Sequence, residues 1–266
     1  MKIKWPRNQS FVKFPISGRP RNESRLHDSP RRNFFLFIFC TSCLFLLNIS
    51  CNKSSGVNEN KAYVTVTHLA PGFSSLDVLY GGASILGGGG LTYDQTSGDS
   101  LNPYILATAG VRALQITAGA DTVLQGNTAF QRGLHYSLFF YDTLKNDSLK
   151  MFILQDELQP RTDTFSLVRF INFSPGPSLN LVLTSIRDTI ATGFQVFAGA
   201  KLKPSYYKFN LLHIGSYAAR AYRDDVNFIP LDSLRVDSAK IYTIFLQGYA
   251  DSSGEFGLKL KKIRHN

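Results

Sequence analysis

Tyr63-Val-Thr-Val-Thr-His-Leu-Ala-Pro-Gly72 and Leu167-Val-Arg-Phe-Ile-Asn-Phe-Ser-Pro-Gly176 lie 104 residues apart and follow one pattern. Each is a short run of β-branched and aromatic residues closed by a Pro-Gly turn, which is strand-and-turn chemistry. Each is followed by a second apolar run, Ser75-Leu-Asp-Val-Leu79 and Ser178-Leu-Asn-Leu-Val182. The echo then continues in order. Gly110-Val-Arg-Ala-Leu-Gln-Ile116 matches Gly215-Ser-Tyr-Ala-Ala-Arg-Ala221, Tyr136-Ser-Leu-Phe-Phe140 matches Tyr242-Thr-Ile-Phe-Leu246, and Leu149-Lys-Met151 matches Leu258-Lys-Leu260. Matched segments in one order, with slowly growing offsets, mark an internal duplication.

The segments are bounded by Pro-Gly, Gly-Gly, Asn-Asp and Asp-Ser-Ser-Gly, and no stretch of the body sustains a 3.6-residue apolar period. The expected fold is all-β: two tandem immunoglobulin-like β-sandwich domains, 62–158 and 165–266, each near the ~100 residues of such a domain. The polar Leu158–Thr164 segment joins them. With each unit carrying its own apolar strands, the two are expected to fold separately. Near the chain end, Phe256, Leu258 and Leu260 alternate with Gly257, Lys259 and Lys261, which reads as one core face and one wet face. Lys259, Lys261, Lys262 and Arg264 are then expected to guard a sheet edge.

The chain has 266 residues, a formal charge of +10 and three cysteines. Residues 1–33 carry nine basic and two acidic side chains, so the rest of the chain is left at +3. That remainder has no strong footprint for a phosphate backbone, and nucleic acid is excluded as the expected partner. Cys40, Cys43 and Cys51 all lie in the first fifth of the chain, so no disulfide braces the body.

From Phe34 an apolar run of about 14–16 residues is interrupted by Asn48 and Ser50, short of the ~20 that span a bilayer. With basic residues before it and small ones after it, the run is a signal-peptide core. Its end, Leu47-Asn-Ile-Ser-Cys51, resembles the bacterial lipobox, although Asn48 stands where an aliphatic residue is usual. The resemblance implies a signal peptide over 1–50 with a long basic leader, lipidation at Cys51 and a polar tether over 51–61. An uncleaved anchor helix is the competing reading. Either holds the body outside the cytoplasm, and the lipoprotein reading places it at the outer membrane. The residues after Cys51 lack an acidic run, which favours the periplasmic over the surface-exposed side.

Thr67-His68-Leu-Ala-Pro71-Gly72 followed by Leu76-Asp77-Val78, then a Gly-led and a Tyr-led strand, resembles the extracytoplasmic family called domain of unknown function 4397. The resemblance covers most of 62–155 and implies a secreted or anchored sandwich-like domain, often in tandem, with no established activity. In the second copy Asn172 and Asn180 replace the His and the Asp, so that copy is divergent.

No residue set here predicts an enzyme. His68 could be a base or a ligand, but its repeat counterpart is Asn172, so a structural hydrogen bond at a strand end fits both copies. Asp77 and Asn180 are likewise expected to brace turns. The run Gly81–Gly90 lacks the Lys-Ser/Thr of a phosphate loop and reads as a mobile hairpin loop. No cofactor and no metal site are expected: His68, His135, His213 and His265 form no chelating pair, and the Asp94–Asp99 and Asp142–Asp147 clusters lack the spacing of a calcium loop. The candidate binding surface is aromatic: Tyr80, Tyr93 and Tyr104 around the glycine-rich loop, with Tyr206 and Tyr207 in the second unit. The expected function is a lipid-anchored envelope protein for binding, adhesion or scaffolding. Its partners would be the membrane through its lipid and an envelope protein or glycan. The alternative is an extracytoplasmic hydrolase or carbohydrate-processing enzyme with its site on the loops of domain 1.

Overall fold

The computed structural model describes residues 60–141, 149–159, 164–195, 197, 208–224 and 228–266. The expected signal peptide, Cys51 and most of the tether fall outside them. Gly56–Asn266 form one compact unit.

The first half contains β1 (Lys61–Leu69), β2 (Ser75–Tyr80), β3 (Ala83–Ser84), β4 (Leu91–Thr92), β5 (Ile105–Thr108), β6 (Gly110–Ala118), β7 (Asp121–Phe130), β8 (His135–Tyr141) and β9 (Lys150–Asp156). One sheet runs β5-β1-β8-β9 and the other β3-β2-β6-β7, with β4 beside β2. In the second half, β10 (Phe165–Asn172), β11 (Leu179–Thr184), β12 (Thr189–Gln195), β13 (Asn210–His213), β14 (Gly215–Tyr222), β15 (Phe228–Val236), β16 (Ile241–Gln247) and β17 (Lys259–Arg264) repeat the plan. The sheets are β13-β10-β16-β17 and β12-β11-β14-β15. Each half is a β-sandwich, and among the described residues every strand of the first half except β4 has a counterpart in the second. Tyr63 of β1 pairs with His135 of β8 in parallel, and Leu167 of β10 pairs with Ile241 of β16 in the same way. The glycines that open β6 and β14, Gly110 and Gly215, have φ of 118° and 154°, backbone that favours glycine.

Alternation along each strand gives each sandwich its core. Val64, Val66, Leu76, Val78, Ile116, Tyr136, Leu138 and Phe140 fill the first, and Val168, Leu179, Leu181, Tyr217, Tyr242, Ile244 and Leu246 the second. The opposite faces of β8 and β16 are also buried, so both strands are covered on two sides. Phe139, Tyr141 and Leu154 of the first half pack with Ile171, Phe173, Phe245 and Ile263 of the second in a third apolar cluster. Phe139 and Phe173 lie 4.7 Å apart between ring centroids. A strand buried on both faces reads as a near-continuous apolar run, which Tyr136–Tyr141 and Ile241–Leu246 are apart from Ser137 and Thr243.

Two expectations change. β17 is a sheet edge, but its lysines do not simply face water. Lys261 Nζ lies 2.8 Å and Lys259 Nζ 3.8 Å from Asp94 Oδ2, while the Gln247 amide donates to Asp94 Oδ1 at 2.6 Å. Asp94, in the left-handed region at φ 69°, therefore ties the first half to the second. The separate folding of two independent units also gives way, because each half uses the other to bury one face of its own sheet. Phe139→Ala or Phe245→Ala should cost ~3–5 kcal/mol, and the body should unfold in one transition seen alike by far-UV and near-UV circular dichroism. Two separated transitions would contradict the shared core.

Candidate functional site

The parity that sends Val168 inward turns Arg169 toward the other half, where its side chain is 1% exposed. Asp156, at the end of β9, meets it there. Arg169 Nη2 donates to Asp156 Oδ1 at 2.5 Å and to Ser137 Oγ at 3.2 Å, and Arg169 Nε donates to Thr243 Oγ1 at 2.7 Å. Thr243 Oγ1 and His265 Nε2 are 2.7 Å apart, as are His265 Nδ1 and Tyr104 Oη. Tyr104 and Ser137 both donate to Asp156 Oδ2, at 2.8 and 2.7 Å.

Only one set of directions satisfies this closed ring. Tyr104 spends its proton on the carboxylate, so His265 Nδ1–H donates to Tyr104 Oη. His265 Nε2 then accepts from Thr243, whose oxygen accepts from Arg169. At the repeat offsets of β8 and β9, Ser137 corresponds to Thr243 and Asp156 to His265, and Arg169 stands where the first half has Thr65. The two halves thus meet through equivalent positions filled by complementary chemistry.

Burial alone would raise the Asp156 carboxyl, but Arg169, His265, Ser137 and Tyr104 hold it below the ordinary carboxylate range. Burial pulls His265 down to about 4 against the attraction of Asp156. Burial, then the Asp156 charge, pushes the Tyr104 hydroxyl up. Perturbed Tyr, His, Asp and Ser groups in one cluster have the composition of an active site. This cluster is sealed, since the Asp156 and His265 side chains are fully buried. Among the described residues its ionised groups contact only one another and their neighbours, and it works as a structural clamp.

The predicted residues are distributed differently from the sequence reading. Tyr80 ends the inward row Leu76-Val78-Tyr80 and is 4% exposed, with its hydroxyl on the Gly110 and Thr128 carbonyls. Tyr104 belongs to the clamp. Neither can form a surface aromatic platform. Tyr93 is half-buried between His68 and Phe256. Tyr206 and Tyr207 lie outside the described residues. His68 is structural: Ala70 N–H donates to Nδ1 at 3.2 Å and Nε2 contacts the Phe73 carbonyl at 2.9 Å. Asn172 takes the equivalent bond from Ser174 N–H at 2.9 Å. Asp77 braces the glycine-rich segment, accepting from Ser84 Oγ at 2.7 Å, while Asn180 Oδ1 is buried with no hydrogen-bond partner. That segment is not a loose loop either, because Ser84 Oγ also accepts from Leu86 and Gly88 N–H, and Ile85 and Leu86 pack on the first core. Among the described residues no three His, Cys, Asp or Glu are placed to hold a metal ion.

An accessible cleft of about 450 Å³ opens beside the clamp, where Pro103 precedes Tyr104 and Arg264 precedes His265. One wall is the Thr96–Pro103 loop, the other Asp237, Tyr242 and Lys262–Arg264. Ser97 Oγ pins the loop, accepting from Val66 N–H and donating to Pro103 O, both at 2.9 Å. Asp99 Oδ1 accepts from Leu101 and Asn102 N–H at 2.7 and 2.8 Å. A Cβ on Gly98, at φ 70°, would fall 2.3 Å from the Asn102 carbonyl, so the turn requires glycine. Opposite, Asp237 accepts from Arg235 Nε at 3.1 Å, and Lys262 Nζ sits 5.3 Å over the Tyr242 ring. A second cleft of about 640 Å³, lined by Ser185–Arg187, Ile214–Ser216 and Arg235–Ser238, shares Asp237 with the first.

Arg169→Met or Asp156→Leu alone should cost ~3–5 kcal/mol, since each strands a buried charge, and the double variant should cost less than the sum. A double-mutant cycle by urea denaturation measures this. His68, like His265, is pulled down to about 4 by burial. Unfolded histidines take up protons below about 6.5, whereas these two resist until about 4. Stability should therefore be full above pH 6.5 and fall as pH drops toward 4. A urea midpoint unchanged between pH 7.5 and 4.5 would contradict the assignment.

No curated protein matches the chain. A family 26 carbohydrate-binding module from Eubacterium rectale, solved with maltoheptaose, aligns over 77% of this chain and 95% of its own at 8% identity and a TM-score of 0.20. A proposed cell adhesion protein from Bacteroides ovatus aligns over 76% and 94% at 12% identity and a TM-score of 0.22. Scores of that size show neither a common fold nor a common ligand. The sequence itself gives the firmer relation: residues 62–182 match the model of the family described as Domain of unknown function (DUF4397), through the whole first half and on into β11.

Proposed function

We propose that this chain is a non-enzymatic binding or scaffolding protein of the cell envelope, anchored through lipid on Cys51 and facing the periplasm, with the junction clefts as its binding site. The observation that carries the reading is the partition of its polar chemistry. Residues of catalytic type are locked into the clamp and closed to solvent, while the accessible clefts are walled by a pinned loop and by cations. Rigid walls lower the ordering cost of capture.

Hydrolysis at the same cleft draws on one observation, that Asp99 and Asp237 both line it. A glycosidase-type pair needs one carboxyl with a raised pKa to act as the acid. Both of these are lowered instead, Asp99 by the Asn102 and Leu101 N–H groups and Asp237 by Arg235. Two bases and no acid suit binding better than bond cleavage.

Metabolic labelling with a fatty-acid analogue should tag the wild-type chain and not Cys51→Ala, and labelling that survives would refute the anchor. Protease added to intact cells should leave the body uncut. The purified chain should turn over no glycoside or ester substrate, and a hydrolysis lost in Asp99→Asn would replace the binding reading with the enzymatic one.

A further inference from the structure

We infer that the two junction clefts, which have Asp237 in common and are together called the groove below, take an acidic peptide segment with interspersed aliphatic side chains. The inference rests on the binding reading above and names its ligand class. Lys262 and Arg264 line the first cleft, and Arg187 and Arg235 the second, with Asp237 common to both. Against these four cations the lining sets two carboxylates, Asp99 and Asp237. The groove is thus at +2 within a chain that is only +3 beyond residue 33. Asp237 is matched internally, with one oxygen on Arg235 and the other 3.2 Å from the Tyr242 hydroxyl. Asp99 gives an oxygen to its own loop. Arg187 is exposed on the turn between β11 and β12, and the Arg235 side chain is 79% exposed. Both carboxylates thus already accept hydrogen bonds from the protein's own donors, while Arg187 and Arg235 are exposed, which leaves cations for charge-assisted bonds to an added carboxylate.

The rims decide between anionic polymers. Leu101 projects from the first cleft at 66% exposure and Ile186 from the second, fully exposed. Exposed aliphatic side chains beside cations match a chain that alternates acidic and apolar residues. A glycan ligand would ask for aromatic faces, and the one tyrosine in the groove, Tyr242, is buried beneath Lys262. A bilayer would touch the rims and leave the concave cations unmatched.

The test uses the full chain in neutral detergent and a fluorescein-labelled decapeptide of alternating Glu and Leu, read by anisotropy. Saturable binding should weaken about tenfold in Arg187→Gln with Arg264→Gln. It should also weaken with added salt and stay unchanged in Arg132→Gln, an exposed site in the first half. The same peptide with Gln for Glu should not bind. The Arg187 side chain is exposed and, among the described residues, only its backbone N–H is bonded, to Ser185 Oγ, so its variant should fold and keeps the test readable if Arg264→Gln does not. Absent binding, or binding undiminished in the arginine variants, would overturn the inference. So would dextran sulfate or phosphatidylglycerol vesicles depending on those arginines while the peptide does not. Such a failure, with Cys51 acylated and no hydrolysis seen, would remove the peptide and leave the binding reading in place.

Discussion

The ion pair between Asp156 and Arg169 joins two sandwiches that would otherwise each expose an apolar sheet face. Burying it is expensive, because two charges leave water together. The cost is offset by the hydrogen bonds of the ring, in which Ser137 and Tyr104 donate to the carboxylate and Thr243, backed by His265, accepts from the guanidinium. An apolar interface could slide. A ring of directional bonds fixes the register, and the Phe139, Phe173 and Phe245 packing beside it follows from that registration. The first cleft inherits the same constraint, since its walls include the residues immediately before Tyr104 and His265.

Much of this was legible in sequence. The 104- and 106-residue offsets matched the strands in the correct order, and the His68–Asn172 equivalence identified a structural hydrogen bond before its partners were visible. Tyr80 misled because strand parity, not residue type, sets exposure. The row Leu76-Val78-Tyr80 already carried that parity, and reading it through would have put Tyr80 inside.

The clamp itself left a weaker trace. Arg169 interrupts Leu167-Val-Arg-Phe-Ile171, and Asp156 ends the strand Met151-Phe-Ile-Leu-Gln-Asp156. A charge inside a strand that is apolar on both faces must be paired. The repeat offsets make His265 the counterpart of Asp156 and Thr243 that of Ser137, but complementary hydrogen-bonding groups on equivalent positions are recognisable only once the two faces are known to meet. Likewise, the cations of the groove come from the β11–β12 turn, the end of β15 and the end of β17, segments that linear reading does not bring together.

The protonation of His265 tests the clamp most directly, because the ring closes only with a neutral imidazole carrying its proton on Nδ1. Nitrogen-15 NMR of the histidine side chains across pH 3.5–8 would read it. The account predicts that His265 stays neutral in the Nδ1–H form through pH 6 and gains a proton only near pH 4. A His265 that titrates near the ordinary 6.5, or that carries its proton on Nε2, would mean the ring is not closed and does not fix the register of the two halves.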